Sequence, residues 1–177
     1  MEIKNYHVEK LCGFYVSDWH LATTVLPYIN SKIEENTKVI TFLENNIEKN
    51  IQILMQKLNL KNKNDILKIR WKNIIDKKYI AIENILNKEF SNNCIILVSG
   101  CNEYISFINT CIEKWLKGSK INNIKIINFF ELTEFNSDIV NILDNHDKIL
   151  NTSGEREITD VFTGYNNNSK RIINDNC

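Results

Sequence analysis

Cys94-Ile-Ile-Leu-Val98 is the stretch whose reading decides the fold. An uninterrupted apolar run of this kind suits a strand buried on both faces. Ser99-Gly100 then turn the chain, and Ile105, Ile108, Ile112, Trp115 and Leu116 follow at three- to four-residue spacing, the pattern of a helix with one buried side. Gly118 is placed to end that helix. Strand, tight turn and amphipathic helix make one β-α unit.

The same unit recurs upstream. Leu11-Cys-Gly-Phe-Tyr-Val16 reads as a buried strand, and Ser17-Asp18 are ready-made caps for a helix from Asp18 to Glu35 that buries Leu21, Val25, Tyr28, Ile29 and Ile33. Pro27 predicts a kink or short break near Thr24. Lys38-Val-Ile-Thr-Phe-Leu43 is the next strand, with Asn45 as cap of a helix through Ile47, Ile51, Leu54 and Leu58. The alternation across Ile66 to Trp71 predicts a half-exposed edge strand, and Ile74 to Phe90 carries helical spacing.

Downstream, Asn123 to Phe130 reads as a strand, Phe135 to Asn145 as a helix and Lys148 to Thr152 as a last short strand. Thr152-Ser-Gly-Glu155 fits the capping-box pattern and predicts a short helix through Val161 and Phe162. Residues 1–163 are therefore expected to form a single α/β domain, with 164–177 a polar, flexible tail. The expected architecture is a three-layer sandwich: a mostly parallel sheet of five to six strands, wound right-handedly, with helices on both faces.

The 177 residues carry 22 basic and 22 acidic side chains, so no global field draws the chain to nucleic acid or to an anionic membrane. Asn and Ile each supply roughly one residue in six, which reads as the imprint of AT-rich codons rather than of function. The first ten residues are polar and do not read as a secretory signal, and no apolar run approaches the ~20 residues a membrane span requires. Cys12, Cys94, Cys101, Cys111 and Cys177 form no C-x-x-C pair and read as free thiols of a reducing cytoplasm.

Ligands of an open parallel sheet bind beyond the carboxyl ends of its strands. That rule selects Ser17, Asp18, Trp19 and His20, then Glu44 and Asn45, then Ser99, Gly100, Cys101 and Asn102, then Glu131 to Glu134. Neither G-x-x-x-x-G-K-[ST] nor G-x-G-x-x-G occurs, although Ser99-Gly100 at a strand-to-helix turn can offer backbone N–H groups to an anion. His20, Asp18 and Cys101 have the residue types of a nucleophile set, but helix capping by Ser17 and Asp18 beside a partly exposed His20 is the favoured reading. His7, His20 and His146 are too dispersed for a metal triad. Trp71 and Trp115 fall on apolar faces and belong to the core, whereas Trp19 can line a pocket.

Leu11-Cys-Gly-Phe-Tyr-Val-Ser-Asp18, the helix carrying Leu26-Pro27-Tyr28-Ile29, and Glu35-Asn-Thr-Lys-Val-Ile40 together resemble the opening of the MEDS family, the methanogen/methylotroph DcmR-type sensory domain. Phe130-Glu131-Leu-Thr-Glu134-Phe135, followed by Ile139, Leu143 and His146, is similar to that family's second half. Lys10 stands where the family has His, Phe130-Glu131 where it has Tyr-Asp, and Asp147 where it has Pro. The resemblance implies a RecA/KaiC-like domain without a phosphate loop, used for signal input, and it makes Cys12, Tyr15, Glu131, Phe135 and His146 ligand-binding candidates.

The expectation is thus a cytoplasmic, non-catalytic sensory or regulatory domain that needs no cofactor or metal and binds a small molecule or a regulatory protein partner, with a homodimer compatible. Two rivals are a small hydrolase or transferase using His20, Cys101 and Glu131, and a degenerate nucleotide-binding protein.

Overall fold

Six strands form one sheet in the computed structural model, which describes residues 7–121, 123–132 and 139–165. They are β1 His7–Tyr15, β2 Lys38–Leu43, β3 Cys94–Gly100, β4 Asn123–Glu131, β5 Lys148–Asn151 and β6 Gly154–Arg156. Their order is β2-β3-β4-β1-β5-β6, parallel throughout except for the antiparallel β5–β6 pair. The helices are α1 Asp18–Glu34, α2 Glu48–Lys57, α3 Lys63–Lys68, α4 Tyr79–Glu89, α5 Asn102–Gly118, α6 Ile139–Asp144 and α7 Ile158–Val161. This is the expected α/β sandwich. Among the described residues, no helix is long and apolar enough to cross a membrane.

The period-two alternation of each strand supplies two separate cores. Ile40, Phe42, Ile96, Val98, Ile126, Phe130 and Cys12 face α4, α5 and α6, while Val39, Leu43, Ile95, Leu97, Ile127, Phe129 and Leu11 face α1, α2 and α3. The strand order explains the split. From β1 the chain travels through α1 to the far edge of the sheet, then returns through β3 and β4 towards β5. Right-handed crossovers that travel in opposite directions must lie on opposite faces. Gly13 and Phe129 are register partners on the α1 side, and the Phe129 ring lies over the glycine, 2.4 Å from where a Cβ would stand.

Trp71 and Trp115 are buried, as their apolar settings imply. Four local expectations are corrected. Ile66 to Trp71 is not an edge strand: Lys63–Lys68 is helical, and buried Trp71 donates its indole N–H to Ile66 O at 2.8 Å. The alternation misled because Ile66 and Trp71 both point inward, which a strand of that spacing cannot arrange. The following backbone instead covers the outer end of β2, through Thr41 Oγ1–H to Arg70 O, and Ile74 N–H to Leu43 O at 3.1 Å.

Thr152-Ser-Gly-Glu155 is not a capping box. Thr152-Ser153 form a two-residue hairpin turn, with Gly154 at φ +92, and only Ile158–Val161 is helical. Asn45 does not cap α2, whose first N–H, on Glu48, is met by Asn46 Oδ1 at 3.1 Å. Pro27 sits inside an unbroken α1 on its exposed side, where the lost backbone bond costs least. Of the expected tail, Tyr165 is partly buried and donates its hydroxyl to Asp144; residues 166–177 and the first residues of the expected Phe135 helix lie outside the described residues.

The amino-end side is tied by charge. Lys125 Nζ meets Glu155 at 2.9 Å and Glu9 at 3.2 Å, and Tyr28 donates its hydroxyl to Glu155 at 2.7 Å. Burial works to raise the Glu155 carboxyl, but Lys125 and Tyr28 outweigh it and hold the group below its ordinary 4.5. A carboxylate depressed in the folded state adds stability above its unfolded value and loses it as pH falls through the folded one. The stability difference between wild type and Glu155→Gln is therefore expected to be full above pH 4.5 and to vanish in more acid solution, measured by urea unfolding across that range. Gly13→Ala should cost about 1–3 kcal/mol through overpacking, and Phe129→Leu in the same chain should return part of it, which a double-mutant cycle of unfolding free energies measures.

Candidate functional site at the carboxyl edge

Because α1 leaves β1 on one face while α5 and α6 lie on the other, the chain parts at the carboxyl ends of β1, β3 and β4, which is where an open sheet forms a ligand crevice. Tyr15 and Glu131 are register partners at that end, and Leu132 N–H extends the ladder to Tyr15 O at 2.8 Å.

The turn after β1 uses its own side chains. Ser17 Oγ accepts His20 N–H at 3.2 Å as the cap of α1, and Val16 N–H donates to His20 Nδ1 at 3.3 Å. His20 thus serves the turn.

The turn after β3 is filled by Glu44, from the end of β2. Cys101 N–H donates to Glu44 Oε2 at 2.7 Å, and the Cys101 thiol reaches Oε1 at 3.6 Å. Gly100 is required here, since a Cβ would stand 2.5 Å from Glu44 Oε2 and 2.7 Å from its Cβ. Burial alone would raise the Glu44 carboxyl, but the bonds from Cys101 and the nearby Lys77 ammonium, 3.5 Å from Oε1, hold it low. The N-terminus of α5, the natural seat for a phosphate, therefore already carries an ionised carboxylate.

Cys101 responds in the opposite sense. Burial raises its thiol pKa, and Glu44 and Glu103 raise it further against a backbone hydrogen bond from Tyr104. A reactive thiolate needs a positive neighbour, and this thiol has carboxylates. Its hydrogen-bond partner is Glu44, while the His20 ring is occupied with Val16. The Cys-His-Asp arrangement is not formed.

Tyr15 stands at the centre of the site. Its side chain is fully buried, and its hydroxyl finds no partner among the described residues. Burial, followed by the charges of Glu131, Asp18 and Glu44, pushes the phenol far above its ordinary value. Asp18 Oδ1 also accepts from Asn45 Nδ2 at 3.5 Å.

At this edge the structure pairs Tyr15 with Glu131 across β1 and β4, Asp18 with Asn45, and Cys101 with Glu44, whose close approach Gly100 admits. It separates the others. Cys12 and Ser99 are buried inside the sheet, and Trp19 is 47% exposed. His146 lies on the α5–α6 face, where its Nδ1–H donates to Ile142 O at 2.6 Å and Nε2 pairs with Asn128 Nδ2 at 2.9 Å. Beside it runs a groove of about 460 Å³ between α5 and α6, lined in part by Lys10, Asn109, Glu113, Phe130 and Asn145. Phe135 lies outside the described residues. Sequence reasoning reached Glu44 only by the strand-end rule and missed Lys77 and Tyr104. Tyr104 was legible as the first aromatic of α5, but nothing in sequence ties Lys77 to Glu44.

Cys12, Cys94, Cys101 and Cys111 are free thiols, and no three His, Cys, Asp or Glu side chains among the described residues converge on a metal position. The fold is an α/β sandwich whose carboxyl edge carries Asp18, Glu44 and Glu131. Comparison with family models, curated proteins and solved structures gives no match for this chain.

Replacing Tyr15 by Phe removes an orphaned buried hydroxyl. The free protein should gain about 1–3 kcal/mol, read as a higher midpoint of thermal unfolding. A lower midpoint would mean that the hydroxyl is already satisfied.

Proposed function

We propose that the chain is a non-catalytic, cytoplasmic sensory or regulatory domain of the MEDS type, which binds a small molecule at the carboxyl edge of its sheet and passes the signal to a protein partner. The observation that carries this reading is the buried Tyr15 hydroxyl, left without a partner where the strand ends meet. An orphaned polar group in a native interior costs stability, and binding sites are where such costs are retained.

Two rivals lose support. Catalysis by Cys101 and His20 lacks both the thiolate and the contact between the two side chains. A nucleotide phosphate would meet Glu44 on the α5 N-terminus and Asp18 on that of α1.

The test is a thermal-shift screen of small metabolites, with ATP and cyclic AMP included. A ligand at a hundred times its Kd stabilises by about 2.7 kcal/mol. Compounds are expected to stabilise wild type, Cys101→Ser and His20→Ala alike and to lose their effect in Tyr15→Phe, with no shift from either nucleotide at millimolar concentration. Stabilisation by a nucleotide, or a turnover abolished by Cys101→Ser, would overturn this assignment.

A further inference from the structure

A cleft of about 460 Å³ lies at the opposite end of β2 from the carboxyl edge, where the two helical layers meet beside this outer strand. Ile33 of α1, Val39 of β2 and Ile69 after α3 give it an apolar wall, and Lys38, Arg70 and Glu89 stand around them. Ligand sites of this size commonly combine an apolar lining with a few placed polar groups. The strand also contributes backbone. Lys38 N–H and Glu44 N–H donate inward, to Asn93 O and Ser99 O at 2.9 Å each, whereas Leu43 O accepts from Ile74 N–H on the outer side. Alternation therefore turns the N–H and C=O of Val39 outward too, on the side of the cleft.

The charges around this cleft do not balance. Arg70 Nη2 meets Glu89 Oε1 at 2.9 Å, and Lys68 Nζ meets Asp65 Oδ1 at 2.9 Å. Lys38 has no ion-pair partner among the described residues, so three cations line the cleft against two carboxylates. Arg70 is itself incompletely met. Its Nε is buried and finds no acceptor among the described residues, although a guanidinium holds Nε–H and Nη2–H side by side in one plane. A buried donor of a charged group left unmet is costly. Glu89 takes one arm of that fork, and the other is left for an oxygen from outside the chain.

We propose that this cleft binds a small organic monocarboxylate with an apolar body. Its carboxylate accepts from Arg70 Nε–H and balances the charge of Lys38, while the body lies against Ile33, Val39 and Ile69. A doubly charged group such as a phosphate would set its second charge against Glu89 and Asp65, which line the same cleft. Occupancy ties α1, the segment after α3 and α4 to the outer edge of the sheet, so the ligand joins elements of both layers. The site is separate from the carboxyl edge, since Lys38 opens β2 and Glu44 follows its end.

The experiment is a chemical-shift titration of the isotope-labelled protein with hydrocinnamate, with hydrocinnamyl alcohol as the neutral control and phenyl phosphate as the dianionic one. Hydrocinnamate should move the Val39 and Ile69 amide resonances and the Arg70 Nε–H resonance, while Gly100 and Cys101 stay still. Arg70→Lys keeps the charge and loses the fork, and it should bind about tenfold more weakly than wild type. Lys38→Gln, at an exposed position, should bind about threefold more weakly. Both controls should bind about tenfold more weakly than hydrocinnamate, or less. Equal affinity for the alcohol overturns the anionic class, and tighter binding of phenyl phosphate overturns the monocarboxylate. Unchanged affinity in both variants overturns the site. So does the absence of shifts at millimolar ligand, and so do shifts confined to Gly100 and Cys101, which would leave the carboxyl-edge reading standing.

Discussion

Burial of a parallel sheet on both faces is the constraint from which the rest of this structure follows. Every strand interior must be apolar on two sides, so β2, β3 and β4 are almost wholly buried, and a polar side chain that does enter must find a partner there. Thr41 does so through Arg70 O, and Asn128 does so in part, its amide nitrogen meeting His146 Nε2 while its Oδ1 has no partner among the described residues. Exposed chemistry is thereby driven to the strand ends, and the right-handed crossovers decide which ends lie where the chain parts.

At that edge the charges are arranged against the usual use of such a fold. Helix N-termini beside parallel strands ordinarily attract anions from outside. Here Glu44 supplies the anion for α5, and Ser17 and Asp18 serve α1. The consequence runs through its neighbours: Gly100 must lack a side chain and Cys101 keeps its proton. One carboxylate therefore fixes both the geometry and the charge of this turn.

Legibility differed from element to element for physical reasons. Cys94 to Val98 and the Ile105-to-Leu116 spacing were plain because burial on two faces, or on one helical stripe, leaves a dense apolar signature. Ile66 to Trp71 was misread because six residues of alternating polarity fit a strand as well as a helical turn running into an extended segment, and only the Trp71–Ile66 hydrogen bond separates them. Thr152 to Glu155 has the residues of a helix start, yet pairing with β5 overrode that local preference. Among the site candidates, Asp18, Cys101 and Glu131 were selected by the strand-end rule, which is topological, whereas Tyr15 came only from the family resemblance. His146 and Cys12 were carried by motif order, which says nothing about which face of a sheet a side chain occupies.

The amino-acid sequence by itself determined the layered α/β class, the five parallel strands and the major helices, and the lack of a glycine-rich phosphate loop, because hydrophobic periodicity is a local record of burial. Only the tertiary structure decided that Glu44 sits on the Cys101 N–H, that Lys77 lies against both Glu44 and Tyr104, and that Tyr15 ends without a partner. Those contacts join residues dozens of positions apart. Their energies depend on distance and on exclusion of water, and neither is written in the order of the residues until the sheet brings its strand ends together.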